Sequence, residues 1–62
     1  MPEEKKLIVL IDDDPLTLEL AQELLENKDY RVETFQTFEK ARQFLDVLKP
    51  DLIISDLIGM TT

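Results

Sequence analysis

Leu7-Ile8-Val9-Leu10-Ile11-Asp12-Asp13-Asp14-Pro15 is the stretch on which the fold turns. Leu7 to Ile11 is an unbroken apolar run with β-branched residues at Ile8, Val9 and Ile11. Too short for a helix and bounded by charge, it predicts a strand buried on both faces, the kind found in parallel sheets. Asp14 suits an N-cap, and Pro15 suits the first helical position, where its missing N–H costs nothing. A helix is therefore expected from Pro15. Leu18, Ala21 and Leu25 recur at helical spacing and Leu20 and Leu24 widen the stripe. Glu19, Glu23 and Glu26 form a solvated face. The polar Asn27-Lys28-Asp29 should stop the helix, with Asn27 tolerant of left-handed backbone.

Working outward, Tyr30-Arg31-Val32-Glu33-Thr34-Phe35 alternates apolar with polar residues, as an edge strand with one wetter face does. Thr37 can cap a second helix, whose stripe is Ala41, Phe44, Leu45 and Leu48. Lys49-Pro50-Asp51 should end it, because a residue before proline avoids the α region. Leu52-Ile53-Ile54-Ser55 is a third strand, followed by Asp56. Phe35, Phe38 and Phe44 are read as core or interface, since large apolar side chains are most often buried. The order is β-α-β-α-β with short connections. It predicts an α/β fold with right-handed crossovers and a three-stranded parallel sheet in the order 2-1-3. Residues 1–62 read as one unit.

Composition narrows the function. The 62 residues carry 14 acidic against 7 basic side chains, a net charge of −7, with no His and no Cys. Disulfides, thiolate sites and histidine catalysis are excluded, and any metal must be a hard, oxygen-ligated ion such as Mg²⁺. Phosphate-backbone binding needs clustered Lys and Arg, so nucleic acid is not an expected partner. A membrane is not expected either, since no apolar run approaches the roughly 20 residues that span a bilayer. The cytoplasm is the expected setting. A domain of this size buries only about 60% of its unfolded surface and is marginal alone.

The acids are placed informatively. Asp12 and Asp13 end the first strand and Asp56 ends the third. In an open parallel sheet, sites form beyond the carboxyl ends of strands where the strand order reverses. With the first strand central, these carboxylates would converge, repel, and be relieved by Mg²⁺. The plain alternative is that Asp12-Asp13-Asp14 only caps the helix and complements its dipole.

L-I-V-L-I-D-D-D-P, the amphipathic helix after it, and K-P-D-L-I-I-S-D together resemble the amino-terminal half of a bacterial response-regulator receiver domain, over residues 5–58. The resemblance implies half of a flavodoxin-like doubly wound fold. It implies that Asp56 accepts a phosphoryl group from a histidine kinase or phosphotransfer protein. It further implies Mg²⁺ held by Asp13 directly, by Asp12 largely through water, by Asp56, and by the backbone carbonyl of Ile58. Such a module signals rather than turns over substrate.

The sequence departs from the family pattern after Asp56. Receivers usually place Pro-Gly after the acceptor, whereas Leu57-Ile58-Gly59-Met60 has no proline. The fourth-strand Ser/Thr and the fifth-strand Lys and aromatic have no counterpart here. The expectation is a truncated form with impaired phosphotransfer and an uncovered third strand, completed by a homodimer that pairs third strands edge to edge. Two other readings stand beside it. One is a non-catalytic dimerising half-domain. The other draws on Asp12-x-Asp14 after a hydrophobic strand, which looks like the start of a haloacid-dehalogenase-type phosphatase, with Asp12 as nucleophile and Asp14 as acid/base; that family usually continues Gly-Thr, where this chain has Pro15-Leu16.

Overall fold

The computed structural model describes residues 5–55. Within them β1 (Leu7–Ile11), α1 (Pro15–Asn27), β2 (Arg31–Phe35), α2 (Phe38–Leu48) and β3 (Leu52–Ser55) follow one another. The sheet is parallel with β1 central, in the order β2-β1-β3. This is the expected half of a flavodoxin-like fold.

Alternation along β1 builds two cores. Ile8 and Leu10 point to one face, where they pack with Leu18 of α1 and Val32 of β2, backed by Ala21, Leu25 and Tyr30. Val9 and Ile11 point to the other, against Ala41 of α2, with Phe35, Leu45 and Leu48 behind. The helices therefore cover opposite faces, as two crossovers of one hand require when the chain steps from β1 out to β2 and then back across to β3. All five residues of β1 are buried, which is why that strand reads as a continuous apolar run. Phe44 lies half in solvent but stacks on Phe35, with ring centroids 5.6 Å apart. Phe38 is exposed rather than core.

The helix ends follow local chemistry. The Asp14 carboxylate accepts from the Leu16 N–H at 3.1 Å and from the Thr17 hydroxyl at 3.0 Å. Asp14→Ala is expected to cost about 1 kcal/mol, the usual worth of such a cap. Thermal unfolding should fall by about 4–8 °C for a domain of this size. Thr37 caps α2 through the Lys40 N–H at 3.2 Å. After α1 the left-handed residue is Asp29, at φ 76°, rather than Asn27, which completes the helix. The Tyr30 N–H is then spent on the Leu25 carbonyl, so β2 starts one residue later than the alternation suggests. Lys49 closes α2 in left-handed geometry, at φ 49°, immediately before Pro50.

The third strand differs from the first. Leu52, Ile53 and Ile54 are apolar and pair with β1, yet they remain 52%, 43% and 44% exposed. Leu16, Leu20 and Leu24 lie on the outer side of α1 and are likewise exposed, so only the Leu18-Ala21-Leu25 part of the stripe faces the sheet.

Candidate functional site

The site grows from the carboxyl end of β1. The Asp12 N–H donates to the Phe35 carbonyl at 3.1 Å, which extends the β1–β2 ladder one residue past the strand. The side chain turns back, and Oδ1 accepts from the Asp14 N–H at 2.9 Å. Asp12 is thus fixed through main chain and side chain together, and it is the one buried charged residue among those described, at 7% exposure. A carboxylate taken out of water is costly unless it is paired or hydrogen-bonded, and the Asp14 N–H meets part of that need here.

Asp13 follows at the same rim and is exposed. Asp14 is given over to the helix, its two oxygens engaged by Leu16 and Thr17. The plain reading of the acidic run as a helix cap thus holds for Asp14. An acid/base role for Asp14 finds no support in that geometry.

On the other side of β1, the register sets Ile11 opposite Ser55, so β1 and β3 end at the same level. Asp56 and Ile58 lie outside the described residues. Between α1 and β3, just below the rim, a cavity of about 280 Å³ is lined by Asp12, Thr17, Ile54 and Ser55 with apolar residues beneath.

The donors fit a hard cation. They are carboxylate oxygens, and the chain supplies neither imidazole nor thiolate. Among the described residues no group of three or more acidic side chains is gathered closely enough to hold a metal. No described helix is long and apolar enough to cross a membrane.

One residue of this region escaped the sequence reading. Asp51, taken there as part of a helix stop, bonds across 44 residues to Leu7. Its partner is remote in sequence, and only its position after Pro50 at the start of a strand hints at a special task.

The family model of the response regulator receiver domain matches residues 8–60. No curated protein and no solved structure matches the chain. The match runs from the buried central strand, through the Asp12-Asp13 rim, to beyond the end of β3. By that match and by this fold, the chain belongs to the response regulator receiver domain family, as a receiver module of a response regulator.

Proposed function

We propose that this module accepts a phosphoryl group on Asp56 from a phosphohistidine of a histidine kinase or phosphotransfer protein. Asp12, Asp13, Asp56 and the backbone carbonyl of Ile58 would hold the Mg²⁺. When bound, that ion neutralises charge on the phosphoryl oxygens. An oxygen of Asp56 forms the new P–O bond as the P–N bond to the donor imidazole breaks. The electron pair leaves with the imidazole nitrogen, which then takes a proton. The chain needs no base of its own, because a carboxylate is already ionised; this agrees with the absence of His. The cytoplasm, where such kinases present their phosphohistidine, is the proposed setting.

The observation that carries the proposal is Asp12, buried and doubly fixed at the end of the central strand, level with the end of β3. The test is incubation with acetyl phosphate and Mg²⁺ followed by intact mass and peptide mapping. Gain of one phosphoryl mass on Asp56 is expected. Labelling elsewhere, or none, counts against the proposal. Mg²⁺ alone should also stabilise the fold, by about 2.7 kcal/mol at a hundredfold excess over its dissociation constant. Differential scanning calorimetry across a Mg²⁺ series measures this.

A second, structural reading rests on β3. Among the described residues β3 pairs with β1 alone, and its apolar side chains are about half exposed. We propose that a second copy adds its own β3 there through a two-fold axis. Leu52–Ser55 carries no charge, so antiparallel pairing sets no like charges opposite one another within those four residues. Sedimentation equilibrium should give a dimer at micromolar concentration, and a compact monomer there contradicts it.

A further inference from the structure

We infer that the Asp51 carboxylate sets the register of β3 against β1 and so acts as a positioning residue for the phosphoryl-accepting rim. The inference rests on the proposed role of Asp56 for its functional consequence, but its structural basis stands on described residues alone.

Two hydrogen bonds join Asp51 to Leu7. The Asp51 N–H donates to the Leu7 carbonyl at 2.8 Å. In return the Leu7 N–H donates to Asp51 Oδ2, also at 2.8 Å. Had β3 begun earlier, Leu7 would have found a main-chain carbonyl there. The chain instead leaves the sheet at Pro50 and the left-handed Lys49. The Asp51 side chain supplies the missing acceptor, and the first N–H of β1 is satisfied. A charged acceptor makes this bond stronger than an ordinary one.

The rest of β3 cannot choose its own register. A one-residue slip sends every side chain to the opposite face, and such slips are resisted only where the two faces differ in burial. Here Leu52, Ile53 and Ile54 are all apolar and exposed to a similar degree, so a slip exchanges like for like. The reciprocal pair at Asp51 has no equivalent in a slipped register, because Leu52 at the same place has no side-chain acceptor. In the observed register Ser55 stands opposite Ile11, the residue before Asp12, so the register of β3 decides which of its residues ends level with β1, immediately before the proposed acceptor in the sequence. A shift of one residue moves that position by about 3.3 Å along the strand, more than a metal–oxygen bond length.

The test compares Asp51→Ala with Asp51→Asn in the full chain, by NMR. Asparagine keeps an acceptor oxygen at the same reach, and alanine removes it. Asp51→Asn should retain the cross-strand contacts of Val9 with Ile53 and Ile11 with Ser55, and slow hydrogen exchange at the Leu7 amide. Asp51→Ala should lose those contacts or give a second set of β3 resonances. It should also bind Mg²⁺ about 10–100-fold more weakly, the usual loss when a residue that orients a metal ligand is removed. A native register with unchanged Mg²⁺ affinity in Asp51→Ala overturns the inference. So does a register lost equally in Asp51→Asn. If Asp51→Ala does not fold, Asp51→Asn still decides, since fast exchange of its Leu7 amide overturns the inference and protection supports it. If the wild-type chain binds no Mg²⁺ while Asp51→Ala still slips, the phosphoryl-acceptor reading fails and the register role stands.

Discussion

Asp56→Asn is expected to reduce phosphoryl incorporation from acetyl phosphate to background while leaving the fold intact. The asparagine amide is nearly the same size as the carboxylate but is a far weaker oxygen nucleophile. The loss should thus fall on chemistry rather than packing. In the proposed site the substitution would also remove one charge from beside Asp12, which is buried at 7% exposure. In the absence of Mg²⁺ the variant should be as stable as the wild type or slightly more so, because like charges there repel. Mass spectrometry for incorporation and calorimetry for stability measure the two effects separately. An Asp56→Asn chain that still gains the phosphoryl mass would place the acceptor elsewhere.

Ile11→Ala should bring the largest loss of stability. Ile11 is 1% exposed, at the centre of the sheet between Phe35 and Ser55, and packs with Val9 and Ala41 beneath α2. Truncating such a side chain costs about 2–5 kcal/mol, from lost burial and the cavity left behind. Stability of about 0.05–0.15 kcal/mol per residue gives a chain of this length about 3–9 kcal/mol in all. Ile11→Ala should therefore remove a large share of it, seen as a depressed urea midpoint and an earlier loss of helical ellipticity on heating. Val47→Ala is the control: Val47 is 79% exposed, and the change should stay within about 0.5 kcal/mol. Equal effects of the two would contradict the core described here.

The central strand was the most legible part of the sequence. Leu7 to Ile11 could be read as doubly buried because its pattern, unbroken apolar residues between charges, has few other folded uses. The caps at Asp14 and Thr37 were legible because their partners lie two or three residues away. Asp51 was not, because its partner is Leu7, and no local rule links residues 44 positions apart. The left-handed turn fell on Asp29 although Asn27 is the more permissive type: the helix kept its last turn, and Lys28 and Asp29 bond back to Leu25 and Glu26. Phe38 missed the core because it opens α2, ahead of the Ala41 turn that meets the sheet. Within the acidic run, sequence alone could not separate a cap from a site. The structure shows Asp14 capping the helix and Asp12 buried at the strand end with its carboxylate on the Asp14 N–H.

In the proposed function the carboxyl ends of β1 and β3 share one divalent cation. Amide chemical shifts followed residue by residue through a Mg²⁺ titration decide this. Saturable shifts are expected, confined to residues 12–14 and to those around Ser55 and Asp56, and abolished by Asp13→Asn. Shifts spread over the acidic face of α1 at Glu19, Glu23 and Glu26, or no saturable shift at the strand ends, would contradict it.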